Sequence, residues 1–481
     1  MSAPTVVIGA GTNELVAAHY LALAGNRIVV LGERGADPDS AAGWIPPRVV
    51  RDLRLAHHGL RIERPDPWAV APLPEGGRLE LWHDMARSVE SIRRLSARDA
   101  DKWPEFCARM ARLGRLLETL YAAPPPDPLA SELRDLAQLA AIGLRTRRLG
   151  RQGMTDLLRL LPMSVADFLD DWFESDALKG VLGAAGVMHL QQGPRSGGTA
   201  FALLHQHVGS PVGVFRAARV NVERTLAGLP GVEIRRGLAV ERIRVRDGRA
   251  TGVVLGGGRE IAAALVVSGA DPRRTLLELV EPGWLDAETV RAVRSIRSRG
   301  VVAQVTLTLD RAAAFPMLVV APSLDYLERA YDDAKYRRVP QRPYLEARAH
   351  GQRVNVHVQY APYAPADGAW DDARRAALGA RVEEMLSPHL GAAVIERIVQ
   401  SPRDLEEAYG WPEGQAHQAE LALDQLLWMR PTPALARYRT PIVGLYLCGP
   451  AMHPGAGIAG AAGAHAARVM LRDSRRGTTG R

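Results

Sequence analysis

The chain opens with two short apolar runs separated by a helical rhythm. Val6-Val7-Ile8 is apolar throughout, Gly9-Ala10-Gly11 is a tight turn, and Leu15 to Leu23 is rich in Ala and Leu. Gly25 is placed to end that helix, and Arg27 to Leu31 reads as a second buried strand. Strand, glycine turn, helix and strand predict the first half-unit of a dinucleotide-binding sheet.

A helical region follows. Ser96 with Asp99 is an N-cap signal, after which Trp103, Phe106, Met110, Leu113, Leu117 and Leu120 recur every three or four residues. Pro124 to Pro128 breaks that pattern, and Ser164 opens another helix leading to Phe168, Leu169 and Trp172. From about Val232 the period becomes two. Val240–Val245 and Thr251–Leu255 flank Asp247-Gly248, a hairpin signal. Leu265-Val266-Val267 is another buried strand. Val301 to Leu309 alternates apolar residues with Gln304, Thr306 and Thr308; Arg353 to Tyr360 alternates likewise. These two predict a second sheet with one apolar and one polar face. Leu445-Tyr446-Leu447, a Gly/Ala turn and a helix through Leu471 complete the pattern, and no internal repeat is visible.

Composition narrows the class. A length of 481 residues, 47% hydrophobic and 24% charged, is that of an ordinary globular chain of a few domains. Two cysteines, Cys107 and Cys448, offer neither a disulfide framework nor a cysteine-based zinc site. No apolar run approaches a membrane span, and no signal core precedes the first strand, so a cytoplasmic location is expected. The net charge of +8 comes almost wholly from arginines scattered among acids, the only lysines being Lys102, Lys179 and Lys335. That is a solvated basic surface, and nucleic acid is not an expected partner.

Two glycine-rich turns carry the chemistry. The first presents backbone N–H groups and a helix N-terminus to a pyrophosphate, with Gly9 and Gly11 in place. The third small residue is replaced by Glu14, whose charge opposes a bound pyrophosphate and whose bulk opposes close helix–strand packing. Gly32 stands where the ribose-binding acid is due, with Glu33 one residue late. The second turn, Gly444 to Gly460, lets backbone approach a ligand and aims another helix N-terminus at it. His57-His58 and His205-x-His207 lack acids at ligand spacing, so no metal site is expected. Asp167, Asp170, Asp171 and Glu174 read as a solvated face. His357, with Asn355 and Gln359, faces either water or a cavity.

Gly9 to Asn13 with Leu15 to Ala18, Arg51-Asp52-Leu53, His58-Gly59-Leu60, Gly193 to Ser196, Ser268 to Pro272, Glu420 to Gln425, Met429-Arg430-Pro431 and the Cys448–Gly460 loop recur in order. In these the chain resembles the phytoene desaturase-related group of FAD-dependent amine-oxidase-like proteins, particularly the branch of pyridine nucleotide-disulfide oxidoreductase domain 2. The resemblance implies an α/β fold: a FAD-type Rossmann domain, a sheet-based substrate domain and a helical insertion. Its parts are expected at 1–85, 211–294 and 436–472 (Rossmann), 86–210 (helical insertion) and 295–435 (substrate domain), with a disordered tail at 473–481.

The resemblance also implies FAD as cofactor. Gly9, Ala10, Gly11 and Asn13 would face its pyrophosphate, Glu33 its ribose and Val240 its adenine. Gly449, His453, Gly455, Gly457 and Ile458 would run along the pyrophosphate and flavin. Besides Glu14 and Gly32, the chain departs from the family by a shortened connector after Leu31 and by Phe215 to Val220 in place of a Gly-Gly turn.

Function follows as an expectation: a FAD-dependent oxidoreductase that oxidises or desaturates a hydrophobic or pathway-specific small molecule. The altered site keeps two alternatives open, a flavin-free repurposed enzyme of isomerase or cyclase type and a non-catalytic subunit of an intact paralogue. A homo-oligomer or a complex with a paralogous flavoprotein is the expected assembly. No residue is singled out as catalytic.

Overall fold

The computed structural model describes residues 3–33, 43–127, 129, 133–216, 218–455 and 457–475. Most of the shortened connector after Glu33, Pro128, Ala217, Ala456 and the tail from Arg476 therefore lie outside the described residues.

The opening pattern folds as its periodicity requires. Strand β1 (Thr5–Ile8), helix α1 (Thr12–Leu23) and strand β2 (Ile28–Gly32) begin a parallel sheet. Both strands are buried throughout, which is why they read as uninterrupted apolar runs. The sheet has five strands in the order 445–447, 265–268, β1, β2 and 233–236, all parallel. The carboxyl ends of these strands open on one crevice, where ligands of such sheets bind. The Asp247-Gly248 hairpin joins Val240–Arg246 to Arg249–Leu255 in a smaller antiparallel sheet.

A second large sheet forms the opposite wall. Its seven strands run 394–400, 302–309, 353–359, 345–350, 317–320, 69–72 and 78–81. The two strands at 69–81, expected within the first Rossmann part, are hydrogen-bonded into this sheet, because Leu318 pairs with Val70. Alternation sends Val305, Val354 and Val356 into an apolar core against the Asp372–Leu390 helix. Their neighbours Gln304, Thr306, Asn355 and His357 face the crevice.

Helices between Met85 and His207 pack around Trp103, Phe106 and Phe215. Ser96 and Ser164 cap their helices by accepting from the backbone N–H of Asp99 and Asp167. Asp167, Asp170, Asp171 and Glu174 bond Ser164, Lys179, Arg159 and Ser96 respectively, a structural use of each.

Of the tail expected from residue 473, Asp473 to Arg475 belong to the last helix, and the rest lies outside the described residues. The final helix runs Ala461–Arg475, and Asp473 is buried, accepting from Arg439 at 2.6 and 2.8 Å and from Tyr446 at 3.0 Å. That helix packs on α1, and a Cβ at Gly463 would collide with the Asn13 carbonyl. Among the described residues no helix is long and apolar enough to cross a membrane.

Candidate functional site

The crevice between the two sheets has a cavity of about 420 Å³. It runs from the β1–α1 turn and the end of β2 to the polar face of the seven-stranded sheet. Gly9, Ala10, Gly11, Asn13, Glu33, Val240, Gly457 and Ile458 all line it, so eight of the eleven expected cofactor residues come together there.

The other three do not line it. Gly449 packs against the Gly269 carbonyl and Gly455 against the Arg430 guanidinium. His453 is fully buried behind the loop, with Nε2 3.3 Å from the Leu120 carbonyl and its ring beside Tyr121 and His465. Its ring packs against the helical insertion instead of lining the cavity.

At the first turn Glu14 folds back over the glycines. Its Oε2 lies 2.8 Å from where a Cβ on Gly11 would be, and its Cγ 3.1 Å from that point on Gly9. The same carboxyl fills the space a side chain at Gly269 would need. It accepts from the backbone N–H of Gly11 and from its own. The helix N-terminus thus has a hydrogen-bond acceptor supplied by the chain itself. Burial pushes this carboxyl up to about 7, with the charge of Glu223 adding to the rise and the two backbone donors opposing it.

At the end of β2, Gly32 leaves no room for a larger residue, since its Cβ position is 2.9 Å from the Ala10 methyl. Glu33 follows and is paired with Arg274, Nη2 to Oε2 3.0 Å. Val240 and Leu238 supply apolar wall nearby.

The far end is a chamber of imidazoles that the sequence reading left largely unnoticed. The ring of His189 lies 4.7 Å from that of His357 and 4.5 Å from that of His417, centroid to centroid. Burial lowers the pKa of all three: His417 falls to about 3, helped by the Arg430 charge, and His189 falls well below its ordinary value. For His357 burial prevails over the opposing pull of Glu346. The imidazoles are neutral at pH 7.

Glutamines hold the chamber in shape. His189 has φ 61°, uncommon for a residue with a side chain. Its N–H donates to Gln359 Oε1 at 3.0 Å, and its carbonyl accepts from Gln415 Nε2 at 2.8 Å. Gln359 Nε2 donates to the carbonyls of Val187 and Leu190, so Oε1 is an acceptor and His357 Nε2, 2.9 Å away, must carry the proton. The lone pair of His357 is then on Nδ1.

Across the sheet, His357 sits between Gln304 and Glu346. Glu346 is buried and bonded by Arg216 Nε at 2.7 Å, Arg348 Nη2 at 2.8 Å and Tyr344 Oη at 2.9 Å. Burial alone would raise its pKa; the two guanidiniums outweigh it and hold the carboxyl at about 2.

Arg430 fastens the remaining wall. Fully buried, it donates to the carbonyls of Ala419 and Glu420 at 3.0 Å, Pro450 at 3.1 Å and Gln425 at 3.2 Å. The segment carrying His417 and the C-terminal glycine loop are thereby one unit. Of the histidines weighed from sequence as ligands, two are engaged elsewhere: His205 Nδ1 meets Tyr121 Oη at 2.9 Å, and His207 Nδ1 meets the Val214 carbonyl at 2.7 Å.

The family model for "flavin containing amine oxidoreductase" matches residues 51–471. The chain belongs to the flavin-containing amine oxidoreductase family. This amine oxidoreductase-family chain is 30% identical to pyridine nucleotide-disulfide oxidoreductase domain-containing protein 2 of Rattus norvegicus, over 97% of this chain and 93% of that protein. It is 25% identical to one of the limonene dehydrogenase subunits of Castellaniella defragrans, over 97% and 94%. To hydroxyneurosporene desaturase of Rhodobacter capsulatus it is 25% identical over 97% of each chain. Among solved structures it shares its fold with putrescine oxidase, at TM-score 0.57 and 14% identity, over 99% of this chain and 100% of that one. Membership of this family implies, in general, a fold built to hold FAD, and the phytoene desaturase-related resemblance read from sequence is upheld.

Proposed function

We propose that this family member is a flavin-free enzyme that moves protons on a small molecule bound in the imidazole chamber. One observation carries the reading: the Glu14 carboxyl occupies the glycine nest and accepts the Gly11 N–H that a dinucleotide pyrophosphate would use. Glu33, the ribose acceptor implied by the family, is likewise engaged by Arg274. Both polar seats of the cofactor are taken by the chain, and on this reading FAD does not fit them.

The chamber supports chemistry without a redox partner. With Nε2 protonated, His357 Nδ1 is the nitrogen left with a lone pair to take a proton from a substrate carbon or heteroatom, and a second neutral imidazole is within one ring contact to receive it. Returned elsewhere on the same molecule, that proton makes the reaction an isomerisation, with no net change of oxidation state. Arg348 and Gln304 offer donors for a developing negative charge, while Trp411 suits an apolar portion.

A FAD-dependent oxidoreductase acting on a hydrophobic molecule is the second reading. The crevice favours it, since one continuous hollow joins Val240 and Glu33 to the imidazoles as a dinucleotide would. A partner-subunit role takes support from the relative that is itself a dehydrogenase subunit.

The visible absorption of purified protein, before and after incubation with FAD and desalting, separates the first two. Colourless protein that fails to retain FAD is expected. Oxidised-flavin bands near one per chain would sink the proposal and restore the oxidoreductase reading.

A further inference from the structure

A second hollow, of about 460 Å³, lies on the other side of Arg216. Its walls are apolar and aromatic, with Trp44, Ile45, Val50, Trp68, Val214 and Val220 prominent. Trp44 is held rigidly: its N–H donates to the Gly457 carbonyl at 2.8 Å, its carbonyl accepts from Ala459 at 2.7 Å, and its ring lies on Gly209, where any Cβ would collide with it. Trp68 is buried, and its indole Nε1 has no hydrogen-bond partner among the described residues.

The charge of the lining is one-sided. It includes Arg51, Arg54, Arg64 and Arg216 with His57 and His83, and no acid among the described residues. Arg216 is neutralised by Glu346 at the inner end. Among the described residues Arg51 has only its chain neighbour Asp52 as a carboxylate partner, at 3.8 Å. Arg54 and Arg64 are exposed and have no carboxylate partner among the described residues, unlike Arg274, Arg348 and Arg439. Uncompensated positive charge therefore stands beside an apolar interior.

We infer that this hollow binds an amphiphile with an apolar body and an anionic head, a carboxylate or a phosphate. The body replaces water against the tryptophans, and the head meets the guanidiniums of Arg54 and Arg64, which bind either anion well. The site is distinct from the imidazole chamber and does not depend on its chemistry. Arg216 lines both hollows, so its ion pair with Glu346 stands between them.

Full-length protein titrated with dodecanoate, dodecyl phosphate and dodecanol, below their aggregation limits, tests this through tryptophan fluorescence and calorimetry. At low salt either anion is expected to bind once per chain and at least tenfold more tightly than the alcohol; the tighter of the two identifies the head. Arg54→Gln with Arg64→Gln is expected to erase that preference while sparing dodecanol, and Trp44→Ala to weaken all ligands. Equal binding of dodecanol and the anions, a preference that survives the arginine substitutions, or no saturable binding at all would overturn the inference. The substituted arginines are exposed, so thermal melting is expected to stay within about a degree of wild type.

Discussion

Gln359 decides which nitrogen of His357 carries the proton. Its amide oxygen takes the His189 N–H and its amide nitrogen is spent on two carbonyls, so only a donor is accommodated 2.9 Å from that oxygen. Nitrogen-15 NMR of histidine-labelled protein at pH 7 is expected to show His357 as a neutral Nε2–H tautomer. In Gln359→Met the tautomer mixture should shift toward Nδ1–H. Finding Nδ1–H in the wild type would refute the arrangement.

Glu14 makes stability fall as pH rises. Its folded-state pKa of about 7 lies above the unfolded value near 4.5, so its contribution is full below 4.5 and is lost as pH rises through 7. Glu14→Gln keeps the shape without the charge. The variant is expected to exceed wild type by up to about 3 kcal/mol at pH 8 in urea titrations, with the gain vanishing near pH 4.5. A constant difference across that range would mean the carboxyl is not desolvated.

Removing the carboxyl altogether addresses the cofactor. Glu14→Gly, at a helix-propensity cost of about 1 kcal/mol, empties the nest, and Arg274→Ala releases Glu33. The double variant is expected to retain more FAD after desalting than wild type, read from flavin absorbance. Equal retention would place the obstacle in some other part of the crevice.

Arg430 is a structural cation, lowered by burial to about 10 yet still charged at neutral pH. Arg430→Met strands several buried carbonyls and should cost about 3–5 kcal/mol. Chemical denaturation measures it, and a loss below about 1 kcal/mol would contradict the hydrogen-bonding described.

Much of this was legible in the chain because periodicity records burial. β1 and β2 are buried on both faces and read as apolar runs, while Val305 and Val356 alternate with Thr306 and His357 because only one face of that sheet meets a core. Glu14 stood out at a position requiring a small residue. What periodicity could not supply was convergence. His189 and His417 sit in irregular segments far from His357 in sequence, and nothing local marks them as its neighbours. Glu346 and Arg348 were within reach, since Leu345–His350 pairs in register with the strand of His357. The burial of His453 was illegible for the converse reason: a glycine-rich loop advertises approach to a ligand, but not which of its side chains turns inward.

The contact between Asn13 and Gly463 spans 450 positions. On a ribosome the first strand and helix emerge long before the helix that packs on α1. The early half spends that interval with the apolar face of α1 uncovered. Shortening the chain ahead of residue 461 is then a lesion of its beginning: the segment deprived of shelter is α1, hundreds of residues upstream of the cut.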